Sequence, residues 1–186
     1  SKKEIKKIFN LADVSGVKKI DTAEAYGSVN KLIADYNQNR FSIITKFMGL
    51  NNTFSEMKDK FYETLRCFKT NHIHGVLFHQ SKYLLSNDGN SFYQFLLEKK
   101  EQNIIKNIGV SIYCPSELDK ILDEYNLDII QAPVNLADNR ILKYWNNNKK
   151  KLNNTKLHAR SIFLQGLLLK PHNQIDKKFK ELKPLL

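Results

Sequence analysis

Asp21, Tyr26, Lys46 and His79 are the residues of this 186-residue chain best suited to act on a substrate together. The stretch KKIDTAEAYGS, residues 18–28, closes an apolar run with a carboxylate and brings a tyrosine beside a glycine five residues later. The run SIIT leads into Lys46, and GVLF leads into His79. A phenol, with a reference pKa of about 10, is a weak acid at neutral pH. A lysine ammonium nearby favours the tyrosinate and so lowers that pKa, which improves proton donation. A lysine ending so apolar a strand needs a partner, and Asp21 is expected to hold it charged and aimed. His79 is expected to hydrogen-bond a substrate carbonyl oxygen. A proton donor with a carbonyl-orienting group suits reduction of an aldehyde or ketone. The hydride must come from a cofactor, because no side chain donates one. Taken singly, a strand-end lysine is usually solvated, a histidine structural and a tyrosine a packing group. The joint arrival on three consecutive strands carries the reading. His72 and His74 begin the third strand, toward the opposite rim, and read as structural.

The elements that must deliver these groups alternate. Residues 2–13 place Ile5, Ile8, Phe9 and Ala12 on one helical face, with a stop near Gly16. VKKID, FSIITKF, IHGVLFH, IKNIGVSI, LDIIQAPVN and LHARSIFLQG read as six strands. Between them SVNKLIADYNQ, NNTFSEMKDKFYETLRCFKTN, SFYQFLLEKKEQN, CPSELDKILDEYN and RILKYWNNNKKKL read as helices. Thr53 with Glu56 offers a capping box, and Pro115 is expected just inside a helix whose Leu118, Ile121, Leu122 and Tyr125 share a face. Such alternation predicts an α/β fold with parallel strands. An open doubly wound sheet and a (β/α)8 TIM-type barrel compete. No strand is followed by G-x-G-x-x-G, which disfavours the dinucleotide-binding version of the open sheet. Polar strand ends favour the barrel, whose active site is built at the C-terminal ends of its strands. Ser111 ends the fourth strand, the fifth carries Gln131 and Asn135, and the sixth carries Arg160 and Ser161.

Composition bounds the function from outside. The chain is sized for one domain, residues 1–186, with 41% hydrophobic residues. No apolar run approaches the ~20 residues of a membrane span, and no secretory leader is readable, so a cytoplasmic protein is expected. Cys67 and Cys114 fit no metal or redox spacing, and no metal site is expected. The net charge of +11 reflects 30 Lys+Arg against 19 Asp+Glu. These lysines are scattered over helical faces and no nucleic-acid module is present, so a solvated basic surface is the better reading. The oligomeric state is not legible.

The motifs DTAEAYG (21–27), ITKF (44–47), LFHQ (77–80), NIGVSIYCPSEL (107–118), IIQAPVNLADNRIL (129–142) and HARSIFLQGLL (158–168) resemble those of the aldo-keto reductases, in family order. The wording of the later blocks is similar to a bacterial branch. The resemblance implies a (β/α)8 barrel, of which six strands are readable, and NADPH or NADH as cofactor. It implies catalytic roles for Asp21, Tyr26, Lys46 and His79 and a small-molecule carbonyl substrate. It also maps the nicotinamide-carboxamide contacts to Ser111 and Gln131 and a ring-stacking position to Arg160. Ser161, Leu164, Gln165 and Gly166 would then lie near the cofactor pyrophosphate. Ile112 stands where the wider G-V-S-N pattern has asparagine. The family's first and eighth strands have no counterpart in these residues, and six parallel strands do not close a barrel. A piece of a longer chain and a degenerate relative that keeps the fold as a cofactor sensor or scaffold both fit that pattern.

Overall fold

In the computed structural model, each apolar, β-branched run of the sequence is a strand, and helices connect the runs. The structure describes residues 1–152, 154–176 and 179. Its contacts divide it into two compact units, Ser1–Ser111 and Ile112–Leu186.

The first unit holds β1 (Lys19–Asp21), β2 (Ser42–Phe47), β3 (Ile73–Phe78) and β4 (Ile105–Ser111). They pair in parallel in chain order, with Asp21 opposite Ile44, Lys46 opposite Leu77 and Phe78 opposite Val110. Parallel neighbours require crossover connections. These are α2 (Val29–Asn37), α3 (Phe54–Phe68), and the pair α4 (Ser81–Leu84) and α5 (Asn87–Glu101). An additional helix, α1 (Lys2–Val14), precedes β1. The strands therefore all finish at one edge of the sheet.

Alternation along β2 turns Thr45 and Phe47 to one face and Ile44 and Lys46 to the other. Phe47 enters the helix layer, 5.9 Å from the Phe92 ring and 6.5 Å from Phe61. Phe61 in turn meets Phe95 edge-on at 5.3 Å. Phe47, Phe61, Phe78 and Phe92 are almost solvent-free, and each such ring pair adds about 0.5–1.5 kcal/mol beyond burial. A smaller cluster of Ile33, Ile43 and Phe68 takes Phe9, Ile20 and Ala34 against it.

The expected capping box is present at the start of α3. Thr53 N donates to the Glu56 carboxylate at 2.7 Å, and Glu56 N donates back to Thr53 Oγ1 at 3.4 Å. Those hydrogen bonds, led by the Thr53 backbone, hold the Glu56 carboxyl below the usual carboxylate range. On α1 the apolar stripe is narrower than expected. Ile5, Phe9 and Ala12 are half-buried, whereas Ile8 is 64% exposed. The Arg40 guanidinium, 5.7 Å over the Phe9 ring, lies on that packed side.

Gly49, just after β2, packs on the ring of Tyr83. A Cβ there would stand 1.8 Å from a ring carbon, and Tyr83 is only 3% exposed. Burial, with Asp88 adding to it, pushes the Tyr83 phenol up to about 12. Gly49→Ala is expected to destabilise the first unit by about 1–3 kcal/mol, because a buried ring must move. Thermal unfolding reads this directly, and an unchanged midpoint would show that the ring yields without penalty.

The second unit contains α6 (Glu117–Glu124), β5 (Ile129–Pro133), α7 (Arg140–Asn147) and β6 (Lys156–Arg160). β5 and β6 are parallel, with Gln131 opposite His158 and Pro133 opposite Arg160. Pro115 lies outside α6, not within its first turn. The Glu117 carboxylate accepts from the Tyr113 and Cys114 amides at 2.8 and 2.7 Å, which keeps residues 113–116 a turn. Tyr125 is the C-cap of α6, with extended backbone, although it stays buried. Asn135 and Ser161 lie beyond their strands: Asn135 closes a short turn onto Asp138, and Ser161 has φ of 56°. Cys67 and Cys114 are both free, partly exposed thiols.

Candidate active site

In the first unit, the C-terminal ends of β1, β2 and β3 gather the residues singled out by chemistry. Lys46 Nζ donates to Asp21 Oδ2 at 2.5 Å. The pair is asymmetric: the Lys46 side chain is 3% exposed and that of Asp21 is 44% exposed. The Tyr26 ring stands edge-to-face with His79 at 6.4 Å between centroids, and Lys46 Nζ lies 5.7 Å from its centre. The four side chains expected to work together are thus neighbours. Tyr26 is 48% exposed, so about half of the residue faces solvent at this end of the strands.

The turn that delivers Tyr26 is built by short-range hydrogen bonds. After Asp21, the Thr22 amide still donates to the β2 carbonyl of Ile44 at 2.9 Å. The chain then forms a 3-10 turn over Glu24–Tyr26, closed by Gly27 at φ 60°, a backbone conformation glycine takes without strain. Thr22 Oγ1 donates to Asn30 Oδ1 at 2.6 Å, and Asn30 Nδ2 donates to the Ala23 carbonyl at 3.1 Å. Lys60 of α3 reaches Glu24 at 2.9 Å. Neither Asn30 nor Lys60 was legible as part of the site. Thr22 and Asn30 are eight residues apart with no motif linking them, and Lys60 comes from a different element.

The residues expected near a cofactor are distributed as follows. Ser111 ends β4 in the first unit and is buried. In the second unit Gln131 is buried on β5, and its carbonyl accepts from the Ile112 amide at 2.9 Å. Arg160 ends β6 with its guanidinium 4.2 Å over the ring of Tyr113. Its Nη2 donates to the Ile112 carbonyl at 3.1 Å. Tyr113, 63% exposed, is the ring on which Arg160 stacks, a contact that nothing in the sequence announced. Ser161, Leu164, Gln165 and Gly166 all have positive φ, from 46° to 88°, the last three opening a kinked 3-10 segment, Leu164–Leu169. There the Leu164 and Gly166 amides donate to the Ser161 and Phe163 carbonyls at 3.1 and 2.9 Å. No carboxylate occurs in residues 161–170.

A cavity of about 880 Å³ lies at the other end of the first unit's strands, lined by Ser42, Ile73 and Ile105 where β2, β3 and β4 begin. None of Asp21, Tyr26, Lys46 or His79 lines it, whereas His72 and His74 do. Lys69 follows α3 and Lys100 lies in the last turn of α5, positions where cations complement helix C-termini. Size alone does not make this the reacting site. Among the described residues no group of three or more His, Cys, Asp or Glu is placed to hold a metal ion. No helix among them is long and apolar enough to cross a membrane.

Several solved structures share this fold. One is the holo form of the aldo-keto reductase AKR11C1 from Bacillus halodurans, with TM-score 0.76 and 16% identity over 92% of this chain and 61% of the other. A second is the thermostable aldo-keto reductase Tm1743 in complex with the inhibitor epalrestat, with TM-score 0.69 and 20% identity over 97% and 65%. A third is aldose reductase from Giardia lamblia, with TM-score 0.65 and 15% identity over 87% and 62%. The chain spans a little under two thirds of the length of each of these structures. No curated protein matches it in sequence. Six parallel strands alternating with helices thus follow the (β/α)8 pattern of those proteins. The sequence model of the aldo/keto reductase family matches residues 1–185, nearly the whole chain, and the protein belongs to that family.

Proposed function

We propose that this protein takes part in NAD(P)H-dependent reduction of an aldehyde or ketone to an alcohol, with Tyr26 as the general acid. The observation that carries the reading is the placing of the half-exposed Tyr26 ring against both His79 and the Asp21-paired Lys46. A positive charge held beside a phenol stabilises its conjugate base, so the proton leaves toward a developing alkoxide at lower energy. Asp21 keeps that charge in place on a lysine with almost no access to water. His79 is the group proposed to orient the carbonyl oxygen toward Tyr26.

A nicotinamide cofactor, when bound, supplies the hydride. Ser111, Gln131, Arg160, Ser161, Leu164, Gln165 and Gly166 are the residues proposed to hold it. Two features of the second unit suit such a group: the absence of carboxylates from residues 161–170, which favours its phosphates, and the buried Gln131, which suits a polar ring substituent. The proposed partner is a small carbonyl compound rather than nucleic acid.

Calorimetric titration with NADPH and with NADH, followed by a screen of aldehydes and ketones, tests the reading. Saturable binding with carbonyl-dependent oxidation of the cofactor is expected. A folded chain that binds cofactor yet oxidises none with any carbonyl compound would favour a sensor or scaffold that keeps only the family fold.

A further inference from the structure

We infer that Lys60 is a positioning residue for Tyr26, acting through Glu24 as a strap between helix α3 and the turn that presents the tyrosine. The inference rests on the reading of Tyr26 as general acid. The 3-10 turn Glu24–Tyr26 is only three residues long, and its own backbone bonds are at the long end of the usual range. Tyr26 N donates to the Ala23 carbonyl at 3.1 Å and Gly27 N to the Glu24 carbonyl at 3.3 Å. Besides the Tyr26 ring contacts, side chains outside the proposed chemistry also hold it. The Thr22–Asn30 and Asn30–Ala23 hydrogen bonds fix its entrance from the β1 and α2 sides. Glu24, within the turn and two residues before Tyr26, is tied to Lys60 at 2.9 Å. Both of these side chains are largely covered, at 28% and 29% exposure.

Lys60 itself is well anchored. Its carbonyl accepts from Thr64 Oγ1 at 2.8 Å, and the neighbouring Phe61 is fully buried among the ring contacts of the core. The lysine thus joins the turn to a helix whose Met57 and Phe61 are fully buried. Glu24 touches neither Lys46 nor His79 through any of these contacts, so the pair adds no group to the chemistry. Its effect is to limit where the Tyr26 hydroxyl can go. A misplacement of about 1 Å in a reacting group is enough to lower a rate substantially.

Three variants test this: Lys60→Met, which keeps the alkyl stem, Glu24→Gln, and the exchange Glu24→Lys with Lys60→Glu. Amide hydrogen exchange of Tyr26 and Gly27 is expected to quicken about threefold to fivefold in Lys60→Met, the range for releasing a half-covered ion pair. Exchange at Phe61 and Thr64 inside α3 should stay unchanged. In the carbonyl-reduction assay, kcat is expected to fall by a similar factor while KM for the cofactor is unchanged, and the charge exchange should restore kcat. Unchanged exchange at Tyr26 and Gly27 would overturn the strap. Faster exchange throughout α3 would do the same, by showing a general structural role for Lys60. Faster exchange at the turn with full kcat would overturn the positioning role. Should the parent protein show no turnover, the reading of Tyr26 fails by itself, and the exchange data still decide whether the strap holds the turn.

Discussion

Tyr26→Phe is expected to reduce carbonyl turnover by roughly 100- to 10,000-fold, the range for losing a general acid. Folding and cofactor affinity should stay as they are. The substitution removes one oxygen and keeps the ring. The edge contact with His79 and the Lys46 ammonium above the ring therefore both survive. Steady-state kinetics alongside calorimetric cofactor binding separates the two effects. Turnover equal to the parent's would remove Tyr26 from the mechanism. Loss of cofactor binding together with activity would mean that the phenol serves the binding site instead.

The Asp21–Lys46 pair gives the second large effect, and its direction depends on which partner is removed. The Lys46 side chain is 3% exposed, while 44% of that of Asp21 faces solvent. Asp21→Asn takes the carboxylate from an ammonium that water barely reaches. Breaking a fully buried pair in this way costs about 3–5 kcal/mol. The exposure of Asp21 reduces the expected loss to about 2 kcal/mol, because solvent already screens part of the attraction. Lys46→Met leaves a carboxylate that can rehydrate and puts an apolar chain of similar length into an apolar slot. Its stability is expected to be unchanged or higher by about 1 kcal/mol. Both variants should lose at least about 100-fold in carbonyl reduction, since both remove the positive charge or its aim. Denaturant titration and kinetics on the two proteins test the asymmetry. Equal destabilisation by the two substitutions would mean that exposure does not govern the pair.

Much of the fold is legible from local pattern. The six strands and the α3 capping box rest on residues within a few positions of each other: β-branched runs, apolar spacing and the Thr53–Glu56 pair. The placing of Asp21, Lys46 and His79 at one edge follows from the same logic. In parallel strands joined by helices, all C-terminal ends point the same way.

Other features depend on orientation and on distant partners. Ile8 satisfies the helical spacing of its neighbours, yet it is exposed because the contact surface beneath α1 reaches only Ile5, Phe9 and Ala12. Pro115 suits a first helical turn, but the Glu117 carboxylate binds the amides ahead of it and delays the helix. Arg160 was readable as a polar strand end, whereas the Tyr113 ring beneath it lies 47 residues earlier in sequence.

By itself the amino-acid sequence determined which residues reach the rim of the sheet, because secondary-structure period and strand direction are local properties. Only the tertiary structure decided how buried each one is and what holds it there. The near-complete burial of Lys46 beside a half-exposed Asp21, and the tie from Lys60 to the turn bearing Tyr26, arise when separate elements pack. Side-chain reach across that packing leaves no periodic trace in the chain.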